Sequence, residues 1–523
     1  MTESLLDRLE QWKSRFGSGR TAELEKLLAG VRKLEVADAT GLIRLHETLL
    51  FLRAYPRSAK VARMADALLF SFADRVAKAR AAGADLSELT TPELSGIAGT
   101  SFSAVFSYEV VRELVRLHPR ALKIDWESVD NPNLGAVLSR FLPLLKEDWP
   151  VEAEVPYRDW LRGTDLRWLL EQFESLSISP RDRAHMFDSM QLPVEWDLAN
   201  SHCTRSRMRL AGAKLFLHSA PLLRRSDVSL SAELQRPPIP LTRLKTVEAQ
   251  RILDMILDTS AMRYRELYGF SHPDARSMLR ADLGRGVQVF VFGVPPEWRL
   301  PLRAYHSALF FKNGVPIGYV EVLSLFERAE VGFNLYYTFR EGESAWLYAR
   351  VLHLFRQILG VRCFSVDPYQ LGHNNHEAID SGAFWFYRKL GFRPVTPGIA
   401  RRAEREELRI RDQPGYRTSA TTLKRLAEGY MIFEGPGAEP GAWDRFRIRN
   451  IGLAAGHRQG AGGFEVALSL IPGMDRWTRQ ERRAVADIVR AKRAGSESHY
   501  LRLMQRHSKL RAAFLRLGSR EAA

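Results

Sequence analysis

SGAFWFYRKLGFRP, residues Ser381 to Pro394, reads as a helix that stops at a glycine and resumes as a strand. Ile379, Ala383, Phe386, Tyr387 and Leu390 recur at three- and four-residue spacing, which predicts one buried helical face. Gly391 ends the helix, because only glycine takes the left-handed conformation after a helix without steric cost. Arg388 and Lys389 suit the negative end of the helix dipole. Phe392 then restarts the chain as a strand.

Upstream, Val287 to Val294 (VQVFVFGV) is β-branched and aromatic between Gly286 and Pro295-Pro296, as a buried strand would be. Ala308 to Phe311 and Pro316 to Leu323 flank Lys312-Asn313-Gly314, and Asn-Gly supplies the positive φ angles of a tight hairpin. Glu330 to Phe339 is predicted as a third strand, with Val331, Phe333, Leu335, Tyr337 and Phe339 on one side and Gly332, Asn334, Tyr336 and Thr338 on the other. Arg340 to Ala345 (REGESA) follows as a loop. Beyond it comes a helix with Leu347, Val351, Phe355 and Ile358 on its buried face, and Val361 to Asp367 completes a β-loop-α-β unit as a parallel strand. The free N–H groups at such a helix start can hold an anion.

Taken together, hairpin, long strand, glycine loop, helix, strand and the FYRKLGF segment resemble the GNAT acyltransferase superfamily over about Val247 to Val395. The resemblance implies a mixed sheet flanked by helices and direct attack of an amine on the thioester of acetyl-coenzyme A or another acyl-CoA, with no metal. It places Tyr387 as general acid and leaves Glu321 or Glu330 as general base. Tyr337, Phe339, Arg340, Gly342, Ser344, Ala345 and Asn375 would line the cofactor. Val247 to Met262, an amphipathic helix with Ile252, Met255, Ile256 and Thr259 on one face, would flank the acceptor.

The chain departs from the family pattern in two places. Counting back from Gly342 puts Phe339 at the usual basic position, with Arg340 one residue away, and Glu341 and Glu343 would repel a pyrophosphate. Tyr387 falls nine residues after Ala378 where the family has four, so either about a turn and a half is inserted or Asp380 stands in the asparagine position.

At 523 residues the chain is expected to hold about three units, and its composition, 45% hydrophobic and 26% charged, is that of a soluble globular protein. The expected regions are a helical one over 1–233, the acyltransferase-like domain over 241–400 and a basic, mainly helical one over 401–523. The first carries stripes such as Leu5, Leu6, Leu9, Trp12 and Phe16, and Val61, Met64, Ala65, Leu68, Phe72 and Val76. Phe102, Val105, Phe106, Val110, Leu114 and Val115 predict another helix, ending before His118-Pro119. The tryptophan-rich run Trp149 to Trp168 reads as core. Leu234 to Pro240 (LQRPPIP) reads as a linker.

Arg401 to Arg417 is expected as a charged surface helix or linker closing the central domain. Phe464, Val466 and Leu468 alternate as a strand would, and Thr478 to Leu517 reads as helical. No apolar run approaches the roughly 18 residues of a membrane span, and the N-terminus lacks the apolar core of a secretory signal. A cytoplasmic protein is expected. Cys203 and Cys363 have neither disulfide nor zinc-ligand spacing, His202 beside Cys203 is poorly placed for a dyad, and His373 and His376 belong to a polar loop.

The formal net charge is +16, and from Met474 onward thirteen Lys or Arg stand against five Asp or Glu. That basic tail is expected to be dispensable for folding and to attract polyanions or nucleic acid. Two further readings stay open. One is a protein of this fold acting on nucleic-acid-bound substrates, and the other is a catalytically inactive binding scaffold.

Overall fold

A computed structural model describes residues 4–17, 20–129, 133–142, 144, 165–199, 201–456 and 463–519. Most of the tryptophan-rich run, from Trp149 to residue 164, lies outside the described residues. The chain falls into two compact units. The first comprises Met1–Pro221, Lys245–Ala275 and Phe311–Pro316, and the second Leu222–Leu244, Arg276–Phe310 and Ile317–Ala523. These limits do not coincide with the expected boundaries near 233 and 400.

In the first unit, helices Leu5–Lys13, Arg20–Val31, Ala39–Ala54, Ala59–Phe70 and Phe72–Ala81 bury most of the expected stripes, among them Leu6, Leu9, Val61, Ala65 and Leu68, and the stripe from Val61 to Val76 is divided between two helices at Ser71. The expected all-helical region is corrected by a three-stranded sheet, order β1-β3-β2, of Ser101–Val105 (β1), Leu122–Ile124 (β2) and Pro193–Asp197 (β3). The stripe from Phe102 to Val115 is therefore two elements, β1 and helix Tyr108–Leu117. Its apolar residues fit one helical period, but β1 gains a ladder with β3 that a lone stripe does not reveal. Helix Thr246–Ala261 packs against Tyr108–Leu117 and belongs to this unit, not to the region of the candidate site.

The second unit is built on a nine-stranded mixed sheet, ordered β11-β12-β10-β9-β8-β7-β6-β5-β4. Its strands are Leu241–Arg243 (β4), Leu279–Gly284 (β5), Val287–Gly293 (β6), Ala304–Lys312 (β7), Val315–Leu325 (β8), Arg328–Leu335 (β9), Cys363–Val366 (β10), Arg393–Pro394 (β11) and Met431–Glu434 (β12). The Asn-Gly turn between β7 and β8, which falls in the Phe311–Pro316 segment of the first unit, forms as read, with Asn313 at φ 50° and Gly314 at φ 80°. β10 runs parallel to β9, and helix Ser344–Leu359 between them buries Leu347, Val351, Phe355 and Ile358.

Several expectations are corrected in this unit. β9 stops at Leu335, and Tyr337–Phe339 is a 3-10 turn. The sheet does not close at residue 400, since β12 enters between β10 and β11. LQRPPIP is pinned and not a free linker, because Ile239 exchanges backbone hydrogen bonds with the Gln357 amide at 2.7 and 2.8 Å. Gly463–Ser469 is a helix, burying Phe464, Ala467 and Leu468 at helical spacing.

The tail is also no appendage. Helices Arg479–Ala494, Glu497–Gln505 and Ser508–Ser519 supply Tyr500, Leu501, Met504, Leu510 and Phe514, each 0% exposed, to the core of this unit. Part of its charge is spent internally: Lys492 pairs with Glu497 at 2.6 Å and Arg511 with Glu327 at 2.5 Å. No helix among the described residues is long and apolar enough to cross a membrane.

Candidate functional site

The site lies where β9 and β10 part. Their ladder joins Arg328 to Cys363, Ala329 to Phe364 and Glu330 to Ser365, after which β9 continues to Leu335 without β10. β10 meanwhile pairs with β12 along its whole length and turns at Asp367 into the short helix Pro368–Leu371. The parted edge of β9 is thus bordered by residues from that turn. A Cβ at Gly332 would lie 3.7 Å from Gln370 Nε2, which places the Gln370 amide over the parted stretch.

Tyr387 reaches the same place from the FYRKLGF segment. That segment is not one continuous helix. Gly382, at φ 67°, breaks it into His376–Asp380 and Ala383–Lys389, so Ala378 and Tyr387 stand on separate helices. Asn375 caps the first piece, accepting from the Ala378 amide at 3.1 Å, and donates to the Tyr369 carbonyl at 3.1 Å, so it serves the backbone here. Gly391 has φ 101° as the helix stop requires.

The Tyr387 ring is buried against Tyr348, Phe386 and Phe392. Its hydroxyl lies 3.5 Å from Gln370 Oε1, too long for a firm hydrogen bond. Burial, and then the nearby Asp367 carboxyl, hold it well above the ordinary tyrosine pKa, so it carries its proton at neutral pH. Tyr348, one turn into helix Ser344–Leu359, presents a fully buried hydroxyl with no hydrogen-bond partner among the described residues.

Of the two candidate bases, Glu321 and Glu330 lie on the same face of the sheet, opposite Gly332 and Leu323 respectively. Glu330 is held by Arg303 at 3.1 Å and Arg328 at 3.6 Å. Glu321 instead accepts a hydrogen bond from the Tyr305 hydroxyl, which itself accepts one from Ser307 Oγ at 3.0 Å. Burial raises the Glu321 pKa, partly offset by Tyr305. A partly desolvated carboxylate with one hydroxyl donor is the better proton acceptor of the two.

At the expected phosphate loop the amides of Ser344, Ala345 and Trp346 have no hydrogen-bond partner among the described residues, as at any uncapped helix start. The repulsion expected from Glu343 is largely removed. Its carboxylate is 2% exposed, accepts from Arg285 Nε at 2.9 Å and again from Arg285 Nη2, and from the Leu223 amide at 3.1 Å. Arg340 is not free for a phosphate: it pairs with Glu377 and donates to the Leu335 carbonyl at 3.2 Å. The Ser344 hydroxyl donates to the Arg340 carbonyl at 2.8 Å. Phe339 and Ala345 are buried, while Tyr337 is 66% exposed beside the loop.

The fold therefore brings Tyr387, Gln370 and the parted edge of β9 together, with Glu321 on the adjoining strand. Arg285, Gln370, Tyr305 and Tyr348 had carried no signal in the sequence, because each gains its meaning from a partner distant along the chain. Compared with known proteins, the chain matches no family model, no curated protein and no solved structure.

Proposed function

We propose that the second unit is an acyl-CoA-dependent N-acyltransferase, transferring an acetyl or similar acyl group to an amine. The observation that carries this reading is the parting of β9 from β10 beside the uncapped start of helix Ser344–Leu359. Free amides at that helix start suit a pyrophosphate, and Arg285 neutralises Glu343, one of the two acidic residues that flank Gly342. The parted strand edge offers unpaired backbone groups to an extended pantetheine-like chain.

In this reading the amine nitrogen bonds to the thioester carbon and the carbon–sulfur bond breaks. Glu321 takes a proton from the amine, through water, and Tyr387 delivers one to the departing sulfur. Packing of the Tyr387 ring against Tyr348, Phe386 and Phe392 fixes where its hydroxyl sits. A second reading, a binding scaffold without transfer, is favoured by the commitment of Arg340 to Glu377 and of Ser344 to the loop backbone. Action on nucleic acid has less support, since Lys492 and Arg511 of the basic tail are used in ion pairs.

The test is thiol release from acetyl-CoA by the full-length protein across a panel of primary amines and lysine peptides. Amine-dependent release, abolished by Glu321→Gln and Tyr387→Phe together, supports transfer. Binding without release from any amine supports the scaffold.

A further inference from the structure

The first unit gathers three chemically distinct side chains that no linear spacing connects. His118 follows the C-terminus of helix Tyr108–Leu117, Asp258 stands in the last turns of helix Thr246–Ala261, and Cys203 comes from the loop after β3. One ligand atom from each, an imidazole nitrogen, the thiol sulfur and a carboxylate oxygen, lies within 4.8 Å of the other two. His118 Nε2 is 2.7 Å from Asp258 Oδ1. Cys203 and Asp258 are 8% and 7% exposed, and the Trp196 ring covers His118 at 5.2 Å.

We propose that His118, Cys203 and Asp258 form a binding site for a zinc-class divalent cation. Nitrogen, sulfur and oxygen donors in one cluster match the borderline-soft preference of zinc, with a fourth position for water or substrate. Charge supports the same reading. A thiolate and a carboxylate together balance the two charges of a divalent ion.

The surroundings are arranged for that charge state. Ser201 Oγ lies 2.7 Å from Cys203 Sγ and donates to it once the thiol has lost its proton. Arg116, whose charge acts on Asp258, is paired with Asp254 at 2.7 Å. Bonds of 2.0–2.3 Å at tetrahedral angles separate ligand atoms by about 3.3–3.8 Å. Loading thus spreads the His118–Asp258 contact by about half an ångström and draws Cys203 inward, both within the reach of side-chain rotation. The ion would clamp the two helices to the loop after β3.

Cobalt(II) titration of chelator-treated full-length protein tests this, because a thiolate on cobalt gives a ligand-to-metal charge-transfer band and a tetrahedral ion intense visible bands. One equivalent is expected to produce both, to be displaced by zinc, and to raise the melting temperature. Cys203→Ser should abolish the charge-transfer band, and His118→Ala or Asp258→Asn should weaken binding at least tenfold, with circular dichroism confirming folded variants. Folded wild-type protein that shows no charge-transfer band at stoichiometric cobalt overturns the proposal, whatever the variants do. Retention of the band in Cys203→Ser, with loss in Cys363→Ser, assigns it elsewhere and overturns it too.

Discussion

Arg285→Ala tests how the candidate anion site tolerates a carboxylate at its centre. Glu343 is 2% exposed and leans on two Arg285 nitrogens and the Leu223 amide. Removing one partner of a buried pair costs about 3–5 kcal/mol, because the remaining charge stays desolvated. The positive end of helix Ser344–Leu359 returns about 0.3–1 kcal/mol of this. A loss of roughly 3 kcal/mol is therefore expected in urea unfolding. Glu343→Gln in the same chain removes the stranded charge while keeping an acceptor for the Leu223 amide, so the double variant should recover to within about 1–2 kcal/mol of wild type. Arg285→Ala alone should also weaken acetyl-CoA binding tenfold or more at low salt, since an unscreened carboxylate then faces the phosphates. A stability loss below about 1 kcal/mol, or a double variant no more stable than the single, refutes the buried-pair argument.

Tyr387→Phe should lower turnover by about 100-fold or more with little change in stability, because its 3.5 Å contact with Gln370 stabilises the fold only weakly. Glu321→Gln should abolish turnover yet stabilise the fold at neutral pH. The folded carboxyl titrates above its unfolded value, so stability falls as pH rises from the unfolded to the folded pKa, and the amide escapes that loss. Ending the chain at Asp475 should give insoluble protein: five fully buried side chains at about 1.5–3 kcal/mol each approach the whole stability of a domain. A soluble, unshifted truncation would restore the view of the tail as dispensable. In the first unit His46 is buried and held down to about 4, so stability should be lost as pH falls from about 6.5 toward 4, on the order of 3 kcal/mol. His46→Gln should flatten that profile in acid unfolding.

What could be read from the chain was whatever local chemistry determines. The Lys312-Asn313-Gly314 hairpin needs only its own turn residues, and helix Ser344–Leu359 carries its periodicity within itself. Met431–Glu434 escaped notice because four residues hold no usable period, and its place between β10 and β11 is fixed by partners far along the chain. Gly382 shows a different limit. A single φ of 67° divides a helical stripe that spacing alone joins. Around the candidate site, the resemblance had singled out Tyr387, Glu321 and Glu330 as candidates, but the sequence did not show that Arg303 and Arg328 occupy Glu330 or that Arg285 neutralises Glu343. His118, Cys203 and Asp258 come from three separate elements, so their meeting is a property of the fold alone.

Calorimetric titration of the full-length protein with acetyl-CoA tests the central claim most directly, with Gly342→Asp as its control. The wild type is expected to bind one equivalent, and Gly342→Asp to bind far more weakly because its side chain and charge would occupy the space that the phosphates need. Absence of both heat and thermal shift at millimolar acetyl-CoA would contradict the assignment, as would equal binding by the two proteins.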